Sequence, residues 1–104
     1  MADRGQITGA LLDGPLAFDN AISMTAAKMK KIVSPVAGQA DILVVPDIES
    51  GNMLAKQMSY FAGADSAGIV LGARVPIVLT SRADDIQTRL ASAAVMVLVA
   101  NAMK

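Results

Sequence analysis

Apolar and polar positions divide the chain into strand-like runs and amphipathic stretches. Ile7 to Asp13 is a short apolar run closed by Asp13-Gly14-Pro15, which predicts a strand ended by a turn. Asp19 or Asn20 opens a helix predicted to reach about Ile32, with Ile22, Ala26, Met29 and Val33 at helical spacing and Lys28, Lys30 and Lys31 mostly on the far side. Ser34-Pro35 stops it, because the residue before a proline disfavours the helical region. Val36 to Ala40 is a connector. Asp41-Ile42-Leu43-Val44-Val45-Pro46 then reads as a continuous apolar strand of the kind buried on both faces of a parallel sheet.

Asp47 to Asn52 follows as a loop, and a helix runs from about Asn52 to Ala62 with Leu54, Met58 and Phe61 along one side and Gly63 as its stop. Ser66 to Gly72 and Val75 to Thr80 read as two more strands, with Pro76 near a strand beginning, where a missing donor is tolerated. Only Ala73-Arg74 separates them, which allows a tight hairpin or an offset corner. A final helix starts at Ala83 or Asp84 and continues nearly to Lys104. Its first half turns Ile86, Leu90 and Ala93 inward and Gln87, Arg89 and Ser92 outward, whereas Ala93 to Ala100 is apolar all round, the pattern of a helix buried on every side. Strands alternating with helices predict an α/β layered architecture.

Composition narrows the chemistry. The chain has 104 residues, 54% hydrophobic and 3% aromatic, with nine basic and nine acidic residues and neither His nor Cys. That excludes a Cys/His zinc site, a disulfide framework, a Ser-His-Asp triad and a thiol nucleophile within these residues. Balanced charge and an aromatic set of Phe18, Tyr60 and Phe61 lack the footprint and stacking platform of a nucleic-acid binder. The longest apolar run, Ala93 to Ala100, is far shorter than the about 20 residues of a membrane-spanning helix, so no membrane partner is expected. The start, Met1 to Gly5, lacks a secretory pattern, and a cytoplasmic address is the expectation. So much apolar sequence in so short a chain predicts a tight oligomer or a piece of a larger protein.

Two strand-to-helix junctions carry polar residues where open α/β sheets place their ligands. In the first, Pro46-Asp47-Ile48-Glu49-Ser50-Gly51-Asn52, Gly51 and Asn52 suit a sharply turning backbone that presents N–H groups. The helix start adds partial positive charge, and Lys56 lies one turn on. The plainer reading makes Ser50 an N-cap and Asp47 a turn former. In the second, Thr80-Ser81-Arg82-Ala83-Asp84-Asp85, an Arg fork beside a hydroxyl and a helix start suits phosphate or carboxylate recognition, with a carboxylate nearby as a potential base. The plainer reading is a Ser81-x-x-Asp84 capping box with Arg82 in a surface ion pair worth about 0–1 kcal/mol. Lys28, Lys30 and Lys31 read as a solvated face and Met53, Met58 and Met96 as core filler. Asp47, Glu49, Asp84 and Asp85 lack the spacing that would demand a metal.

Four segments carry a resemblance that periodicity does not provide: Leu12 to Asp19, Ser34 to Asp41, Val45 to Asn52, and Pro76 to Asp84. In this order they resemble the C-terminal third of the phosphate acetyl/butyryl transferase family. They are most similar to its butyryltransferases and to acetyltransferases fused to a hydratase-like domain, because Ser81-Arg82-Ala83-Asp84 stands where the acetyl-specific branch usually has Ser-Arg-Gly-Cys. The resemblance implies exchange of an acyl group between coenzyme A and phosphate, with coenzyme A as substrate and no metal or bound cofactor. It also implies an isocitrate/isopropylmalate dehydrogenase-like fold with its active site in a cleft between two domains, and a dimer or larger homo-oligomer. On that reading residues 1–104 are a single segment, the end of a longer enzyme, and inactive alone. Ser81 and Arg82 would sit at the acyl phosphate, Asp84 or Asp85 would be the base, and Asp47, Ser50, Gly51, Asn52 and Lys56 would line the cleft. Two rival readings are a noncatalytic oligomerisation module derived from the same fold and a Mg²⁺-dependent dehydrogenase of that broad fold.

Overall fold

The computed structural model of residues 1–104 divides into two units, Met1–Val45 and Pro46–Lys104, and in the first a serine and a left-handed lysine set the inner limits of the helices. After a single 3-10 turn at Ala2–Arg4 come α1 (Phe18–Ile22) and α2 (Met24–Met29). The one helix expected from Asp19 to Ile32 is therefore split. Ser23 splits it: its backbone is extended, at φ −116° and ψ 111°, and its Oγ accepts the Ala26 N–H at 3.2 Å. A serine that can bond nearby backbone competes with helix continuation and favours a cap.

The end of α2 is also earlier than Ser34-Pro35 predicts. Lys31 takes a left-handed conformation at φ 56°, its N–H donates to Lys28 O at 3.0 Å, and the Ile32 N–H donates to Ala27 O at 3.0 Å. Those paired bonds are a Schellman stop. The connector then returns to α1, with the Gly38 N–H on Asn20 O at 2.7 Å and the Ala40 N–H on Ala21 O at 3.0 Å. Gly38 has φ +85°, and a Cβ there would lie 2.6 Å from Met24 Cα, so only glycine allows the approach. The buried residues are accordingly small ones, Asn20, Ala21, Ala27 and Ala37. Ile22, Met29 and Val33, expected inside, face solvent. At the surface Lys30 Nζ meets Asp19 Oδ2 at 2.9 Å, and that hydrogen bond holds the Asp19 carboxyl below its usual value.

Neither predicted strand of this unit forms. Residues 7–13 are irregular. Residues 41–46 make no backbone ladder with any other part of the chain, and Val44 is 90% exposed. The apolar pattern there is real, but a strand exists only where a neighbour takes its N–H and C=O groups.

The second unit consists of α3 (Ile48–Tyr60), β1 (Ile69–Val70), β2 (Ile77–Val78) and α4 (Ile86–Ala102). β1 and β2 pair antiparallel, Ile69 opposite Val78 and Val70 opposite Ile77, and the Leu79 N–H adds a bond to Gly68 O at 2.9 Å. The two strands thus pair as a hairpin and not at an offset corner, but each is far shorter than Ser66 to Gly72 and Val75 to Thr80 predict, and residues 71–76 join them in place of a tight turn at Ala73-Arg74. α4 packs on the hairpin through Ser92, which is 0% exposed: its Oγ accepts the Gly68 N–H at 3.0 Å and donates to Thr88 O at 2.7 Å. The helical pattern turned Ser92 outward, and the structure reverses this because its small side chain fits between helix and hairpin with its hydroxyl bonded on both sides. Any Cβ on Gly68 would run into the Leu79 carbonyl oxygen. Leu90, expected inside, is 67% exposed, and Leu98 is 69% exposed, so the chain itself does not enclose the apolar half of α4. No helix is long and apolar enough to cross a membrane. The chain mixes helices with short strands, an α/β composition.

Candidate functional site

Both polar junctions lie in the second unit, and each begins a long helix. At the first, Asp47 is extended, at φ −152°, and its Oδ1 accepts the Ser50 N–H at 2.7 Å. Asp47 is thus the N-cap of α3, in place of Ser50. The helix begins at Ile48, so Glu49, Ser50, Gly51 and Asn52 form its first turns and no separate loop, and the Gly51 N–H already donates to Asp47 O at 3.1 Å. Hydrogen bonding from the Ser50 side chain and backbone holds Asp47 below the usual carboxylate value.

The second junction has one layer more. Asp85 caps α4, its Oδ1 accepting the Thr88 N–H at 2.8 Å, and the helix begins at Ile86, later than Ala83 or Asp84. The Thr88 backbone and side chain hold Asp85 below its usual value. Ahead of that cap, Ser81 to Asp84 close a turn of their own. The Ser81 N–H donates to Asp84 Oδ2 at 2.6 Å, the Asp84 N–H to Ser81 O at 3.1 Å, and the Ala83 N–H to Ser81 Oγ at 3.3 Å. Ser81 and Asp84 do bond reciprocally, but the capping box expected from their spacing does not start the helix, because Asp85 takes that role. Arg82 is exposed on this turn and makes no ion pair, contrary to the surface pair expected of it.

A hollow of about 340 Å³ brings part of the predicted set together. Lys56 from α3 lines it with Asp84, Asp85 and Thr88. Ser81 is tied to its rim through Asp84. Arg82 sits on the adjoining turn without lining the hollow, and Asp47, Ser50, Gly51 and Asn52 are at the far start of α3. Lys56 Nζ lies 5.7 Å from the centre of the Tyr60 ring, within range of a cation–π attraction. No three Asp and Glu residues converge where a metal ion could be held.

The sequence pattern treated one contributor as surface. Arg89 Nε donates to Asp84 O at 3.1 Å and Arg89 Nη2 to Ser81 O at 3.0 Å, a fork across the turn. A signal for it exists: side chains on a helix lean toward its N-terminus, so an Arg in the second turn reaches back over the cap.

Residues 1–97 match the family described as "Phosphate acetyl/butaryl transferase". The phosphate acetyltransferase of Rhizobium meliloti is 69% identical over 100 residues, 96% of this chain and 32% of that protein. The probable phosphate butyryltransferase of Bacillus subtilis is 55% identical over 97 residues, 93% of this chain and 32% of that protein. The crystal structure of a branched-chain phosphotransacylase from Enterococcus faecalis superposes with a TM-score of 0.74 at 42% identity, covering 81% of this chain and 32% of that one. The chain thus spans about a third of the length of the relatives it matches. With both polar junctions inside the matched residues, the likeness read from four short segments extends to nearly the entire sequence, and the chain belongs to the phosphate acetyl/butyryl transferase family.

Proposed function

We propose that this chain forms the C-terminal third of an enzyme that exchanges an acyl group between coenzyme A and phosphate. One observation carries the reading: the family match extends over residues 1–97 and so takes in both polar junctions. The longer enzyme would have the isocitrate/isopropylmalate dehydrogenase-like fold, act in the cytoplasm as a dimer or larger homo-oligomer, and need no metal or bound cofactor. The exposed Ile42 and Val44 and the open apolar half of α4 are consistent with burial against the rest of such an enzyme.

In the direction of thioester synthesis, the thiol of coenzyme A loses its proton and the sulfur attacks the acyl carbonyl. The C–O bond to phosphate then breaks, and its electron pair leaves on the phosphate oxygen. A thiol near pKa 8.5 and a carboxylate near 3.9 are mismatched by about 4.6 units, a gap that desolvation of the carboxylate in a closed cleft narrows. Asp84 suits the base better than Asp85. The Asp85 carboxylate is committed to capping α4 and held below its usual value, which widens the mismatch, whereas Asp84 uses Oδ2 on the Ser81 N–H and keeps Oδ1 unbonded. Ser81 would position the reacting group, and Arg82, exposed and unpaired, would counter phosphate charge. Asp47, Ser50, Gly51, Asn52 and Lys56 would border the substrate, and of these Lys56 shares the hollow with the proposed base.

The test is acyl-phosphate-dependent thioester formation from coenzyme A, with acetyl, propionyl and butyryl phosphate, in this chain and in the longest protein that contains it. Activity in the longer protein, lost in its Asp84→Asn variant, supports the reading. Absence of activity from every pairing would make the chain a noncatalytic oligomerisation module.

A further inference from the structure

We infer that Arg89 is a positioning residue for acyl transfer, clamping the Ser81–Asp84 turn to the start of α4 so that Ser81 and Arg82 keep one orientation toward the substrate. This rests on the acyl-transfer reading of that turn. The three bonds within the turn join Ser81, Ala83 and Asp84 only to one another. The two bonds that tie it to the body of α4 both come from one guanidinium, Nε to Asp84 O at 3.1 Å and Nη2 to Ser81 O at 3.0 Å.

The choice of acceptors is informative. Both are backbone carbonyls on either side of Arg82-Ala83, so the fork fixes the main chain from which Arg82 projects and spends no side-chain acceptor of the proposed site. The Ser81 carbonyl takes a second donor, the Asp84 N–H at 3.1 Å, and the turn and the clamp therefore share an atom. Arg89 is itself anchored one helical turn into α4, its backbone N–H on Asp85 O at 3.1 Å. The start of α3 has no such fork: Asp47 caps it and is bonded by Ser50 three residues on, and no guanidinium reaches back from the helix to the chain ahead of the cap. A helix needs only the cap. A turn that must present a hydroxyl and a guanidinium in fixed directions gains from a second restraint, and a planar fork supplies direction that a lysine point charge does not.

The test uses the full-length enzyme containing this segment, comparing Arg89→Met, Arg89→Lys and, as a control on the site, Arg82→Ala. For Arg89→Met, kcat should fall about 10²-fold, the cost of a small misplacement remote from the reacting atoms. Its KM for acyl phosphate and coenzyme A should stay near wild type, at temperatures where circular dichroism shows the fold intact. Arg89→Lys should recover part of the loss. Wild-type kcat in a folded Arg89→Met overturns the inference. So does a raised KM with unchanged kcat, which would make Arg89 a direct substrate contact. Should Arg89→Met not fold, Arg89→Lys decides: a severalfold fall in kcat at unchanged KM upholds the clamp, and wild-type kcat overturns it. Full activity in Arg82→Ala would instead refute the acyl-transfer reading of the turn itself.

Discussion

At the start of α3, Asp47 accepts the Ser50 N–H at 2.7 Å, and at the start of α4, Asp85 accepts the Thr88 N–H at 2.8 Å. As caps the two are interchangeable: extended backbone, one carboxylate oxygen, the amide three residues on. They differ in what stands in front. Before α3 the chain arrives as an unpaired apolar segment, whereas before α4 a self-bonded turn carries Ser81, Arg82 and Asp84 and is clamped from behind by Arg89. A polar residue at a helix start is therefore weak evidence of a site, because capping accounts for it. Structure in excess of capping is the informative part.

The largest expected separation between the two starts is catalytic. In the full-length enzyme Arg82→Ala should lower kcat by about 10²–10³-fold, as loss of one donor to developing charge does, and leave thermal stability unchanged because the side chain is exposed and unpaired. Asn52→Ala at the start of α3 should cost far less, since its backbone is already engaged in a helix. Initial rates with acyl phosphate and coenzyme A measure both. Equal losses would mean that the two junctions contribute alike and that the extra turn has no special role.

A second difference concerns how each helix is held. Ser92 anchors α4 by a buried hydroxyl between Gly68 and Thr88, while α3 has no buried residue. Ser92→Ala leaves the half-buried Gly68 N–H without its partner and should destabilise by about 1 kcal/mol or more. Ser59→Ala, at a half-buried position of the largely exposed α3, should stay within about 0.5 kcal/mol. Urea denaturation of the two variants reads the contrast, and a similar midpoint shift in both would remove the anchor from the account.

What the sequence made legible follows the range of the interaction. The existence of α3 and α4 and the hairpin as one of two allowed connections could be read because turns and helical spacing act within a few residues, whereas the helix starts were misplaced, since several polar residues at each junction could cap and Asp47 and Asp85 are the ones that do. The split at Ser23 was legible in principle, since a serine followed by Met-Thr-Ala suits an N-cap, but the longer periodicity through Ile22 and Ala26 concealed it. Residues 41–46 failed differently. Their apolar run is what a two-sided strand looks like, and pattern alone cannot say whether a pairing neighbour lies within the same chain. Ser92 failed because helical periodicity ranks residues by hydrophobicity, and what buries Ser92 is a hydroxyl bonded to two backbone groups. Family membership was legible from the four motif segments, and Arg89 was legible only as a side chain that leans back over the helix start, since the carbonyls it meets belong to a turn that no motif reveals.

The smallest effect tests whether the two caps are as alike as their geometry. Both carboxylates titrate below their ordinary value when folded, so the unfolded chain binds protons more readily in the acid range. The stabilisation each provides is fully present above the ordinary value of about 3.9, and it fades as pH falls through that value and then through the lower folded one. Asp47→Ser and Asp85→Ser each keep a cap oxygen and remove the titration. Each variant should flatten the acid limb of stability against pH by a similar small amount, with little change near neutrality, and the double variant should flatten it by the sum, because the caps belong to different helices. Unequal flattening, with Asp85→Ser the larger, would show the cap of α4 to be coupled to the turn in front of it. The cap would then act together with the Arg89 clamp, and the second junction would behave as one unit rather than a cap with a site placed before it.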